Sequence, residues 1–167
     1  MKYSVRPAVE ADIEESIDVL YAAAAEPDSY LGSMPPDREK ILVQAHELLA
    51  SPTGLVVVAE AEDGAIIGSL WAMGDGYQTE LRLNVAREWR GRGVGSAMIT
   101  SAIEWARAQG IVKVHLGVYG PNVDARRLYE RLGFVVEGTR PRHYFHATRG
   151  EVWDIVWMGM FLDDEKH

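Results

Sequence analysis

The sequence predicts a mixed α/β fold, with helices packed on a sheet in a single domain, 1–167. Three observations carry this. Segments that alternate apolar and polar residues are interleaved with segments whose apolar residues recur every three or four positions. No repeat, low-complexity run or linker divides the chain. A length of 167 residues, 47% hydrophobic and 25% charged, suits one ordinary globular core.

Lys2 to Arg6 reads as a short strand stopped by Pro7. Val9 to Ala25 reads as a helix, with Ile13, Ile17, Leu20 and Tyr21 on one face. Proline and glycine make Glu26 to Pro36 a loop. A second helix follows from Asp37 to Ala50, turning Ile41, Leu42, Ala45, Leu48 and Leu49 inward. Leu55 to Glu60 and Ile66 to Met73 form a hairpin through the turn residues Glu62-Asp63-Gly64, and Gln78 to Val85 is the next strand. The helix Val94 to Gln109 buries Met98, Ile99, Ala102, Ile103 and Ala106 and ends at Gly110, a residue suited to a helix C-terminus. Val112 to Tyr119 has strand period. Asn122 suits the N-cap of a helix Val123 to Leu132. Phe134 to Glu137 and Val152 to Leu162 close the chain as strands.

Composition excludes several chemistries. The absence of cysteine removes disulfides, thiolate metal sites and a covalent Cys nucleophile, and fits a reducing cytoplasm. The histidines lack ligand spacing, so no metal is expected. No apolar run approaches the length of a membrane span, and the first residues lack a signal peptide's apolar core. The expected setting is cytoplasmic, with no membrane partner. A net charge of −8 argues against nucleic acid. Against that background Arg82, Arg87, Arg90 and Arg92 fall close together and suggest one anionic ligand. The acidic residues Glu10, Asp12, Glu14 and Glu15 read as the solvated face of the first helix.

The most informative stretch is Arg90-Gly91-Arg92-Gly93-Val94-Gly95-Ser96, between a strand and a long helix. Glycines at alternate positions free the backbone N–H groups, and a helix N-terminus favours an anion. Arginine guanidinium groups fork onto phosphate oxygens. A nucleotide P-loop would need Lys after its last glycine, and a dinucleotide fingerprint would need Gly at Ser96. Both fail on residue identity.

The pattern Arg90-x-x-Gly93-x-Gly95, followed some thirty residues later by Asn122-x-x-Ala125-x-x-Leu128-Tyr129-x-x-Leu132-Gly133-Phe134, resembles the two signature motifs of the GCN5-related N-acetyltransferase family. The resemblance is strong from about Gln78 to Phe134 and weak between Ala25 and Ser51. It implies a mixed, mostly antiparallel central sheet flanked by helices, with a coenzyme-binding core at about 78–134. It implies acetyl-CoA as cosubstrate. The Arg90 to Ser96 turn would hold the pyrophosphate, and the backbone of Leu83, Asn84 and Val85 would pair with the pantetheine arm where the central strands splay. Asn122 and Ala125 match positions near the coenzyme, and Tyr129 the tyrosine near the thioester sulfur.

As a general acid, Tyr129 can supply the proton that the leaving thiolate needs. Its spacing also suits a core aromatic. An amine acceptor arrives protonated and needs a base. Relatives that acetylate ribosomal proteins carry Glu where this chain has Gly117, which leaves Glu80 on the preceding strand as the candidate. Burial would have to raise its pKa, and the alternative is a surface charge. His115, His143 and His146 are the other titratable candidates, and Trp71, Trp153 and Trp157 are core or pocket residues.

The predicted activity is direct transfer of an acetyl group from acetyl-CoA to a primary amine in a ternary complex. A Val85 N–H would meet charge on the carbonyl oxygen. The segment Glu137 to Asp154 resembles small-molecule members of the family that acetylate amino acids or their analogues, including the phosphinothricin type. The expected acceptor carries an anion, partnered by Arg82, Arg140 or Arg142. A protein N-terminal or lysine acetyltransferase, and a non-catalytic acyl-CoA-binding sensor, are the alternatives. A homodimer remains open.

Overall fold

The computed structural model describes residues 2–31 and 37–163. Strands β1 (Tyr3–Pro7), β2 (Gly54–Ala61), β3 (Ile66–Gly74), β4 (Gln78–Val85), β5 (Lys113–Tyr119), β6 (Val135–His146) and β7 (Glu151–Phe161) form one sheet. Their order is β1-β2-β3-β4-β5-β7-β6. Every neighbouring pair is antiparallel except β4 with β5, which run parallel. The helices are α1 (Ile13–Ala24), α2 (Arg38–Ala50), α3 (Val94–Ala108) and α4 (Val123–Arg131). This is the mixed, mostly antiparallel sheet flanked by helices that the motifs imply.

The sheet is buried on both faces at β2 and β3. On one side α1 and α2 set Ile13, Ile17 and Ala45 against Val56 and Val58 of β2. On the other, α3 sets Met98, Ile99 and Ala102 among Val57, Leu70 and Leu116. A strand covered on both faces reads as a continuous apolar run, which explains Val56-Val57-Val58-Ala59. Fully burying one such aliphatic side chain contributes about 1.5–3 kcal/mol.

Local chemistry fixes the element ends. Asp37 caps α2, its carboxylate accepting from the Glu39 and Lys40 amides. Gly64 turns the β2–β3 hairpin at φ 89°, and Gly110 follows α3 at φ 72°.

Three elements depart from the sequence reading. The first helix opens with a 3-10 turn, Glu10–Asp12, because the Asp12 carboxylate accepts from the Val9 amide and from the Arg6 guanidinium at 2.7 Å. The acidic face is therefore only partly solvated: Asp12 is buried, and Glu15 accepts from the Ile66 amide. The second departure is β6, which continues to His146 instead of ending at Glu137. Among the described residues it pairs with β7 alone, nearly all its residues are exposed, and register shifts around Gly138 and between Arg140 and Tyr144 erase the period of two. The third is β1, which includes Pro7; an edge strand tolerates a missing N–H. Of the expected loop Glu26 to Pro36, residues 32–36 lie outside the described residues.

Candidate active site

Strands β4 and β5 pair only at Gln78–Lys113, Thr79–Val114 and Glu80–His115. Beyond Glu80, β4 runs on to Val85 against β3, and β5 runs on to Tyr119 against β7. A cleft of about 1420 Å³ opens where they part. Backbone groups alternate edges along a strand. The Tyr77 carbonyl accepts from Val112 on the β5 side, and the Ala86 amide donates to Ile67 on the β3 side. That alternation turns the N–H groups of Leu83 and Val85 toward the gap. The helix heads reach the same place: a Cβ added to Gly95 would lie 3.5 Å from Leu83 Cδ1 and 3.6 Å from Leu128 Cδ2.

The glycine turn closes one end of the cleft. Gly91 and Gly93 have φ of 70° and 86°, the left-handed region that an L side chain rarely adopts. A Cβ at Gly91 would meet nothing within 4 Å, so backbone conformation rather than crowding requires glycine there. The first hydrogen bond of α3 runs from Ala97 N–H to the Gly93 carbonyl. The Val94, Gly95 and Ser96 amides precede it and have no acceptor within the helix, which leaves a cluster of donors at the positive end of the helix dipole. Such a cluster of donors can accept an anion.

The arginines behave differently from the sequence reading. Arg90 donates through Nε to the Val85 carbonyl at 2.9 Å and through Nη1 and Nη2 to Glu26 at 2.7 and 2.8 Å. Arg87 clasps Asp28 at 2.6 and 3.1 Å. Arg92 donates to the Glu88 carbonyl, and Arg82 to Glu80 at 2.7 Å. The basic cluster is largely paired with acids, two of them more than fifty residues away in sequence.

Tyr129, on α4, lines the cleft and is 8% exposed. Burial pushes its phenol up to about 12, so it stays protonated at neutral pH. Asn122 caps α4 as predicted, its side-chain oxygen accepting from the Ala125 amide at 3.2 Å, and both residues line the cleft. Glu80 lines it from β4, at the last paired position before the splay. His115 stands opposite Glu80 in register, and burial lowers its pKa. Gly117 carries no base; a Cβ there would meet Ile155 Cγ2 at 3.2 Å and Trp157 at 3.5 Å, so glycine leaves room for the β7 side chains. His146 is buried with Nε2 2.9 Å from the Ser29 carbonyl, and His143 is exposed.

The far half of the cleft is aromatic. Tyr119 and Tyr144 lie 4.5 Å apart between ring centroids, with Trp153 buried behind them. Trp71 and Trp157 line the cleft, Trp153 does not. The chain after α1 straps across: Tyr30 donates to the Pro121 carbonyl at 3.4 Å, and Tyr144 donates to the Leu31 carbonyl at 3.1 Å. Arg149 lines this half, over the rings of Tyr30 and Trp153. Of the arginines proposed for an acceptor anion, Arg82 lines the cleft, Arg140 lies over the Trp157 ring, and the Arg142 amide binds Asp154. Sequence reasoning missed Glu26, Tyr119 and Arg149. Tyr119 shares strand parity with Gly117 and was findable; the other two depend on long-range packing. Among the described residues, no group of three or more His, Asp or Glu is placed to hold a metal ion, and no helix is long and apolar enough to cross a membrane.

The parallel strand pair parts beside a glycine-opened helix, leaving an open strand edge next to a cluster of helix-end amides. The sequence profile described as "Acetyltransferase (GNAT) family" matches residues 17–134, and the chain belongs to that acetyltransferase family. It is 29% identical over 163 residues to a phosphinothricin N-acetyltransferase of Streptomyces coelicolor, covering 92% of each chain. It is 30% identical over 123 residues to the L-amino acid N-acetyltransferase AaaT of Escherichia coli, covering 67% of this chain and 72% of that one. A mycothiol acetyltransferase of Beutenbergia cavernae is 36% identical over 102 residues, 58% of this chain, and the match spans only 33% of that longer protein. The fold superposes on a phosphinothricin acetyltransferase from Sinorhizobium meliloti, solved with AcCoA, at a TM-score of 0.87 and 22% identity, covering 99% of this chain and 91% of that one.

Proposed function

We propose that the protein transfers an acetyl group from acetyl-CoA to the primary amine of a small molecule, an amino acid or close analogue. The observation that carries this reading is the splay of β4 from β5 beside the αL-glycine turn. The gap offers a strand edge to an extended arm and the α3 amides to a pyrophosphate, the two chemistries of coenzyme A. Acetyl-CoA supplies a thioester carbonyl open to attack by an amine. The N–H of Val85 faces that carbonyl oxygen, Tyr129 Oη gives a proton to the departing sulfur, and Glu80 takes the proton that the ammonium must lose.

The paired Glu80 and Arg82, 2.7 Å apart on the cleft wall, match the opposite charges of an amino acid: carboxylate for ammonium, guanidinium for carboxylate. The strap over the aromatic half favours a small acceptor over a folded protein. The amino-acid and phosphinothricin relatives support the same acceptor class. The cysteine-free composition suits a reducing, cytoplasmic setting.

Two measurements test the reading. Acetyl-CoA at about 100 times its Kd adds about 2.7 kcal/mol of stability, a rise of roughly 5–10 °C in Tm for a chain of this size. Thiol release should then follow addition of one or more amino acids or analogues from a panel that also holds polyamines and peptides. No thermal shift at millimolar acetyl-CoA sinks the donor assignment. Release with peptides alone moves the acceptor to protein, and binding without release moves the chain to a sensor.

A further inference from the structure

Glu26 stands out because it is acidic in a place built for an anion. It follows α1 and lines the same cleft as Gly91, Gly93 and Gly95. Its carboxylate takes both terminal nitrogens of Arg90 at 2.7 and 2.8 Å, while Arg90 Nε is held by the Val85 carbonyl. All three guanidinium nitrogens of Arg90 are thus engaged inside the protein. Glu26 also lies 3.4 Å from Arg87, whose main partner is Asp28. With a side chain only 13% exposed, Glu26 is sheltered enough for the pair to persist and near enough to solvent to exchange.

We propose that Glu26 is a positioning residue that acts through Arg90: its carboxylate stands in for a phosphate, holding Arg90 beside the turn and competing with the coenzyme for it. This rests on the coenzyme reading above. A phosphate arriving at the Val94, Gly95 and Ser96 amides meets a guanidinium already aligned by Val85. It must displace a carboxylate to use the two terminal nitrogens. Like-charge repulsion between Glu26 and the phosphate opposes that exchange. Glu26 therefore sets coenzyme affinity lower than the turn alone would give, and favours release of spent coenzyme after transfer.

The test separates this from a merely structural ion pair by the sign of two readouts. CoA binding is measured by calorimetry and stability by thermal unfolding, on wild type and Glu26→Gln. Removing the charge should lower Tm, because the Arg90 latch is weakened, yet tighten CoA about twofold to fivefold, the scale of a partly exposed ion pair. A structural pair lowers both, and unchanged or weaker CoA binding overturns the proposal. Should Glu26→Gln fail to fold, Glu26→Asp keeps the charge but draws it back by one methylene; it should tighten CoA by a smaller factor, and failure to do so overturns the proposal equally. Arg90→Gln completes a cycle: its affinity loss should be larger in the Glu26→Gln background than in wild type. Equal losses also overturn it. If wild type itself binds no CoA, the coenzyme reading falls first, a result distinct from normal wild-type binding with an unresponsive Glu26→Gln.

Discussion

Tyr129 on α4 and Glu80 on β4 both line the cleft: the first is a buried phenol, the second a partly exposed carboxylate paired with Arg82. Burial raises the Tyr129 phenol to about 12, so the hydroxyl keeps its proton at neutral pH. Tyr129→Phe keeps the ring against Phe134 but removes the proton, so turnover should fall about 100-fold or more with little change in acetyl-CoA affinity. Near-normal turnover in steady-state assays returns Tyr129 to the role of core aromatic. Glu80→Gln should lower kcat/KM most at neutral pH, and less at high pH where free amine is abundant. A uniform loss across pH marks Glu80 as shaping the pocket only. Survival of the pH limb in the variant points to His115, its neighbour across the strands.

In the proposed reading the strand–turn–helix unit from β4 to α3 binds the donor, and its weak point is the backbone of the turn. Gly93 sits at φ 86° with room for a Cβ, so Gly93→Val fails through conformation rather than collision. A β-branched residue in the left-handed region costs about 1–2 kcal/mol and redirects the amides of Val94 and Gly95. CoA binding by calorimetry should drop well beyond the loss in Tm. A variant that binds CoA normally would show that the amides of this turn do not hold the phosphates. β6 teaches the opposite lesson: an edge strand with bulges and exposed side chains has no period to read, so its length emerged only in the sheet.

At the scale of the whole molecule, the sheet edge is tied to α1 by Arg6, which holds Asp12 at 2.7 Å and Glu60 at 2.7 Å. Arg6 keeps the Asp12 carboxyl below its ordinary 3.8. A depressed carboxyl contributes stability above its unfolded pKa and loses it as pH falls through the folded value. Tm should therefore decline below about pH 4, and Asp12→Asn should start lower at neutral pH and flatten that decline; an equally steep acid loss in the variant assigns it to other carboxylates. The sequence by itself determined the order of elements, the β2–β3 hairpin, the cap at Asn122 and the glycine turn, because periodicity, capping and glycine's backbone freedom are local and leave their mark within a few residues. It also carried the family, through two motifs on consecutive elements. Only the tertiary structure decided how far β4 and β5 stay paired, that Glu26 and Asp28 claim the arginines beside the turn, and that Tyr119, Tyr144 and Arg149 line the aromatic half of the cleft. Those contacts join residues tens of positions apart, where charge and shape must match in space and sequence spacing says nothing.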